Sequence, residues 1–303
     1  MPRQRSPKEN SYIKHWLILA VALALLGAQM SYDLYHARQL IEQEAKNRLT
    51  NHSLVLNEAM DRRLHLINAV LLNLRDNVFN KLSSKATTEE LTRDMVHQVN
   101  TLDGVRTLLV FDAQGNVVAS SRPKLIGRNF AHREYFQSFK QDPKPDRLHM
   151  STPFTTVLGV YTLNLVRSVY DAAGEFAGLV SATIDANGMR KLMLSMHASK
   201  DTRLAVIHGG GTLLMVVPDL SNSETGANKF NPLATQHRHE QKDSIFQRHI
   251  QSGKAATVSI GIAAATGTES IVSMRTLQPA DIQIDAALVI AAARDVSNIL
   301  APW

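Results

Sequence analysis

From Trp16 to Ala28 every residue is apolar or glycine, and the 48 residues from Asp33 to Asn80 contain neither Gly nor Pro. These two runs limit what the chain can become. The first, extended to Tyr12 and Tyr32, is about 20 residues long, one bilayer thickness at ~1.5 Å rise per residue. A short apolar core near an N-terminus also fits a cleaved signal peptide. Here the cleavage signal is poor: a cut after Ala28 puts Leu26 at the small-residue position, and a cut after Ser31 puts Gln29 there. Tyr12, Trp16, Tyr32 and Tyr35 bracket the run as interface aromatics, and Lys14 can reach the headgroups. The reading is an uncleaved membrane helix over residues 13–32, with residues 1–12 as a cytoplasmic tail. Everything from about residue 33 onward is then periplasmic, on a bacterial inner membrane.

Charge supports that orientation. Of the formal +6, Arg3, Arg5, Lys8 and Lys14 against Glu9 place +3 in the first fifteen residues. The positive-inside rule keeps such a tail in the cytoplasm. The remaining +3, spread over 288 residues, is a weak case for nucleic acid as a partner. The absence of cysteine excludes disulfides, thiolate nucleophiles and Cys-ligated metals.

The second run repeats Leu49, Leu56, Met60, Leu64, Ile67, Leu71 and Leu74 at three-, four- and seven-residue steps, the mark of an amphipathic helix. Over residues 33–80 it would reach roughly 70 Å. It is expected to act as a stalk, with Leu49, Leu56 and Met60 on the seam of a parallel homodimer. A shorter helix should start at Thr87-Thr88 and run to about Asn100.

The period then changes to two. Thr107–Phe111 and Val117–Ser120 flank Asp112-Ala113-Gln114-Gly115, a hairpin turn. Tyr161–Tyr170 and Glu175–Ile184 flank Asp171-Ala172-Ala173-Gly174 in the same way, and Arg147–Pro153 reads as a further strand. A looser copy of the plan follows. Leu204–His208 and Thr212–Val217 are joined by Gly209-Gly210-Gly211, then come a helix near Gln241–Ser252 and strands at Ala255–Ile262, Glu269–Leu277 and Gln283–Ala293. Arg275 takes the place of Arg167 in this repeat. The fold class is α+β: a transmembrane helix, a stalk helix and two tandem modules with antiparallel sheets. Their expected spans are residues 81–185 and 203–294, joined by a connector helix in 186–202. Residues 295–303 read as the start of a helix leading toward a second membrane span.

These residues carry a family resemblance. "GRNFAHREYFQ" at 127–137, "MSTPF" at 150–154 and "YTLNLVRSVYDAAGEFAGLVSATID" at 161–185, followed by a second PAS-like unit, resemble the double Cache sensor domains of bacterial transmembrane receptors. The wording is most like sensors attached to diguanylate cyclases or histidine kinases. The resemblance covers about residues 35–295 and implies a non-enzymatic sensor region, without cofactor, that binds a small molecule in the membrane-distal module. The output chemistry would lie in a further domain. A membrane-anchored periplasmic enzyme or a one-pass ligand-binding protein is the rival reading.

By that resemblance Arg133 would clamp a carboxylate, Tyr135, Phe136 and Phe154 would wall the pocket, and Asp185 would accept from an α-amino group. Three positions depart from the amino-acid-binding group: Arg128, Phe136 and Phe154 stand where it has tyrosines. A dicarboxylate or other small organic anion is therefore as good a candidate as an amino acid. Alternation puts Arg167 on one face with Tyr161, Leu163, Leu165 and Val169, where it needs an anion, from a ligand or from a strand-to-helix ion pair. Asp185, between a strand and a helix, is equally placed to be an N-cap. His237, His239 and His249 match no zinc spacing, His208 before three glycines reads as a turn, and no hydrolytic constellation stands out.

Overall fold

The structure is a computed structural model. It describes residues 7–81, 85–102, 104–141, 146–157, 159–196, 201–218, 241 and 243–301. His237 and His239 lie outside the described residues.

Helix α1, Pro7–Lys81, is one unbroken element of 75 residues. Apolar side chains from Trp16 to Tyr35 are exposed, and among the described residues this is the one helix long and apolar enough to cross a membrane. From Ala45 the same helix turns a buried stripe inward: Leu49, Leu56, Met60, Leu64, Ile67, Leu71 and Leu74 are all at most 5% exposed. The stripe packs on the chain's own two sheets. This corrects the expected dimer seam, because Leu49, Leu56 and Met60 are already spent on the chain's own core. Helix α2, Lys85–Thr101, follows and packs on β1 and β2.

Each module is a five-stranded antiparallel sheet. The distal strands are β1 (Val105–Asp112), β2 (Val117–Ser120), β3 (His149–Met150), β6 (Asn164–Tyr170) and β7 (Phe176–Ile184), in the order β2-β1-β7-β6-β3; β4 (Phe154–Thr155) and β5 (Tyr161–Thr162) form a separate pair. The proximal strands are β8 (Thr202–His208), β9 (Leu213–Val217), β10 (Ala256–Ile262), β11 (Glu269–Leu277) and β12 (Leu288–Asp295), in the order β10-β11-β12-β8-β9. Reversing one order gives the other, with β8–β9 for β1–β2 and β11–β12 for β6–β7. The repeat read from two hairpins is thus a repeat of whole sheets. Helix α3 (Glu134–Gln141) belongs to the distal module, α4 (Ala186–Ser195) connects the two, α5 (Ile245–Gln251) lies in the proximal one, and α6 (Val296–Leu300) follows β12.

Alternation sorts each sheet into two faces. In β1, Leu108 and Val110 face the α1 side, whereas Leu109 and Phe111 enter an aromatic cluster under α3. The proximal counterparts, Ala205 and Ile207 of β8, fall in one cluster with Ile245 and Phe246 of α5. Arg167 and Arg275 both stand on the α1 face, as the repeat required.

Two expected strands are shorter than read. Arg147–Pro153 reduces to His149–Met150, and Gln283–Ala293 begins only at Leu288. The missing residues are used between modules: Leu148 N–H donates to the Gln283 carbonyl (2.8 Å), and Leu148 bridges Ile284 in parallel.

Candidate ligand site

The site is built on the face of the distal sheet away from α1, and its support begins at a turn. Asp112 Oδ1 accepts from the Gln114 and Asn116 N–H groups, closing the β1–β2 hairpin. Gly115 there has φ +82°, and a Cβ would lie 2.7 Å from the Ala131 nitrogen. That close approach lets residues 127–131 lie along the hairpin. Phe130 N–H donates to the Gly115 carbonyl (2.8 Å), and Asn129 Nδ2 bonds both the Gln114 carbonyl and Asn116 Oδ1. The "GRNFAHREYF" segment is thereby stitched to a rigid turn before it enters α3.

Arg133 sits just before α3. Its backbone N–H donates to the Phe130 carbonyl and its guanidinium carbon lies 5.2 Å from the centre of the Phe154 ring, a cation–π arrangement. Tyr135 is buried, its ring 6.2 Å from Phe154 and 6.4 Å from Phe111. Burial pushes its hydroxyl up to about 12, against the charge of Arg133 and a hydrogen bond from Asn164, so it stays protonated as a donor.

Arg133, Tyr135 and Phe154 together line a cavity of about 50 Å³ that opens to solvent. Arg106, Thr107, Thr156, Asn164 and Thr183 supply the remaining polar lining, and Leu109, Leu125, Phe130 and Val157 are among the apolar walls. No carboxylate is part of it. Neither arginine has an ion pair among the described residues. Asn164 is 2% exposed, and its Oδ1 is buried with no hydrogen-bond partner. A buried polar atom left open in this way is costly unless something fills the site.

The other expected residues lie elsewhere. Phe136 is fully buried and packs edge-on against Phe111 and Phe176, so it is core beneath the pocket rather than its wall. Arg167 is 4% exposed on the opposite face of the sheet. Its Nε donates to Asn68 Oδ1 of α1 (2.8 Å) and its Nη1 to the Asp146 carbonyl (3.2 Å). Burial and nearby Arg75 lower its pKa, and the Asp146 carboxylate opposes them. The anion it was expected to need is replaced by neutral acceptors and that one nearby charge. Asp185 caps α4, its two oxygens accepting from Asn187 N–H (3.2 Å) and Gly188 N–H (2.9 Å). It is not part of the cavity lining. Arg128 is exposed and is likewise not in the lining.

Sequence reasoning missed Arg106, Thr107, Thr156, Asn164 and Thr183. For Asn164 a signal existed: with Ser168 it alternates against Arg167 along β6, a polar residue on the other face of that strand. His249, read as a weak metal candidate, bonds Thr257 and Thr276 through its two ring nitrogens (2.8 and 2.9 Å), and burial lowers its pKa. His208 lies at the hairpin turn expected of it, with Gly211 N–H on its carbonyl.

No protein-family model matches the chain, and no curated protein matches it by sequence. Solved structures do match its fold. The extracellular domain of the histidine kinase rpHK1S-Z16 has a TM-score of 0.69 at 15% identity, over 86% of this chain and 98% of that one. The ligand-binding domain of the Pseudomonas aeruginosa amino acid chemoreceptor PctB, solved with L-Arg, has a TM-score of 0.61 at 12% identity, over 86% and 98%. The sensor domain of the V. cholerae histidine kinase DctB has a TM-score of 0.53 at 14% identity, over 84% and 98%. The fold is that of these extracellular sensor domains, in agreement with the double Cache architecture.

Proposed function

We propose that this chain is the extracytoplasmic sensing region of a membrane-bound signal-transduction receptor, and that its distal module binds a small organic anion at Arg133. The observation that carries the reading is the cavity in which Arg106 and Arg133 meet no carboxylate among the described residues. Half-buried cations without counter-charge favour an anionic guest, and a guanidinium offers a planar fork to a carboxylate. Phe154, Leu109 and Val157 suit a short hydrocarbon part beside it.

The chemistry also narrows the class. An α-amino group would need acceptors, and the lining offers it the neutral Asn164 Oδ1 and hydroxyls but no carboxylate, because Asp185, the residue the resemblance assigns to it, caps α4. With no charge there to offset an ammonium, a carboxylate without one is the better fit. PctB was solved with L-Arg and PctC with GABA, so both amine-bearing ligands occur on this fold.

In this reading residues 13–32 cross the inner membrane, 33–80 form the stalk, 81–185 and 203–294 the distal and proximal modules, and 295–303 lead toward the membrane. Signal passes along α1 without chemistry in the sensor itself. A parallel homodimer belongs to the proposal on a new face: Val55 and Leu66, eleven residues or three turns apart, stand exposed on the outer side of α1.

The test is a thermal-shift series on the full chain in detergent, with short mono- and dicarboxylates, amino acids and polyamines, and Arg133→Ala in parallel. At ~100 times Kd a true ligand adds about 2.7 kcal/mol. Stabilisation by a carboxylate that disappears in the variant supports the reading. Stabilisation by amino acids alone, or by carboxylates equally in the variant, sinks it.

A further inference from the structure

The junction between the modules holds a cluster that the proposed site does not use. Asp285, in the segment between β11 and β12, takes hold of β3 from below. Its Oδ1 accepts from Met150 N–H (2.9 Å), its Oδ2 is hydrogen-bonded to His149 Nδ1, and its own N–H donates to the Leu148 carbonyl (3.3 Å). One carboxylate thus fastens both the backbone and the side chain of a strand belonging to the other module.

That strand leads directly to the pocket. Ser151 N–H donates to the Asn164 carbonyl and Ser151 Oγ accepts from Asn164 N–H, each at 2.9 Å. Thr152 Oγ1 donates to Glu134 Oε2 (2.8 Å), beside Arg133, and Phe154 follows two residues later in the cavity wall. A second route runs through α3, where Phe139 sets its ring edge-on to His149 at 5.3 Å. Across the sheet lies a small apolar cavity of about 40 Å³ between α1, α4 and both sheets, lined in part by Met60, Met150, Met189 and Leu288. Flexible methionines there can repack if one module shifts on the other.

We propose that His149 and Asp285 form a proton-controlled latch, through which ambient pH sets how firmly the pocket wall is tied to the proximal module. As an imidazolium, His149 gives the carboxylate a charge-assisted bond; as neutral imidazole it gives an ordinary one. Other titratable groups at the junction include His208 of β8, Glu134 of α3 and, across a cleft that Asp285 also lines, His249 and Lys254. His208 accepts from Gly210 N–H at Nδ1, and its Nε2 is buried facing the Met150 backbone without closing a normal hydrogen bond. Burial lowers its pKa, against the Met150 backbone and the Asp285 and Glu134 charges, which raise it. For Asp285, burial raises the pKa, but the His149 and Met150 hydrogen bonds outweigh it and hold the carboxyl below its ordinary value. The latch is therefore tighter with His149 protonated and Asp285 a carboxylate, and is lost when acid protonates Asp285 itself. Its effect on ligand binding rests on the anion-site reading; the latch itself is tested without ligand.

The chain has no cysteine, so a pair of introduced ones labels cleanly. Ser138→Cys on α3 and Gln251→Cys on α5, both exposed, carry nitroxides in the full chain in detergent, and the inter-module distance is read by pulsed electron resonance at pH 5 and pH 8. The expected result is a roughly five-fold change in the ratio of two distance populations. His149→Gln and Asp285→Asn should each remove the pH dependence, while His208→Gln and Arg133→Ala keep it. A wild-type distribution identical at both pH values overturns the latch, as does a pH response that survives His149→Gln or vanishes in His208→Gln. Because Arg133→Ala is included here without ligand, failure of the anion reading is seen separately from failure of the latch.

Discussion

The two modules share one sheet order and one stalk helix, yet the faces they turn away from that helix differ. The distal cavity is lined by Arg106 and Arg133, neither of them ion-paired among the described residues. The proximal cavity, of about 50 Å³, is walled by residues such as Ile207, Val216, Phe246, Ala264 and Ala291. Its one arginine, Arg203, donates to Asp295 (2.9 Å), which also accepts from Thr268 and Ser270 hydroxyls. The same architecture thus spends its cation internally in one copy and leaves cations unpaired in the other. Such a difference separates a structural module from a sensing one more sharply than fold can, because topology is common to both.

The contrast can be broken in several places. The largest effect is expected from Phe136→Ala, which empties the core beneath the distal pocket and should cost about 3–5 kcal/mol. Since α1 packs on both sheets, thermal unfolding should shift as one transition; two transitions would show that the modules are energetically separate. Next, Arg133→Ala should weaken carboxylate binding roughly ten- to a hundred-fold by calorimetry. Arg203→Ala should leave that binding unchanged and lower the melting temperature instead. Equal losses from both would abolish the distinction between the modules.

Gly115→Ala probes the support rather than the contact. The forced φ and the clash with Ala131 should cost about 1–3 kcal/mol and loosen the segment that carries Arg133, seen as a lower melting temperature together with weaker binding. The smallest expected effect is acid sensitivity in the proximal module. Burial lowers the His249 pKa below its unfolded value, so its contribution is complete above about 6.5 and is lost as pH falls through the lower folded value. His249→Gln should flatten that slope in melting temperature against pH, and an unchanged slope would assign it to another group.

What could be read from the chain follows the range of the forces involved. The turns at Asp112–Gly115 and Asp171–Gly174 were legible because an Asp side chain and a Gly backbone settle them within four residues. Strand β11 matches its expected span, Glu269–Leu277, for the same local reason. Residues 283–287 read as strand because their pattern is extended, but their partner is Leu148, far off in sequence. Arg133, Tyr135 and Phe154 line one cavity, whereas Arg167 stands on the opposite face of the sheet, since alternation says which residues share a face and not which face carries the cavity. Phe136 and Asp185 fell to packing and capping, roles that depend on α3 and α4 being in place.

Helix α1 remains unbroken from the apolar segment to the far end of the distal sheet, and between Arg38 and Ala45 it touches little else. Its membrane portion is therefore held at a fixed angular phase to both modules. Each residue inserted there would turn that portion by ~100° and lift it by ~1.5 Å, while seven together nearly restore the phase. A receptor reading rotation should thus gain and lose its output with insertion length in a cycle, whereas one reading height would change steadily.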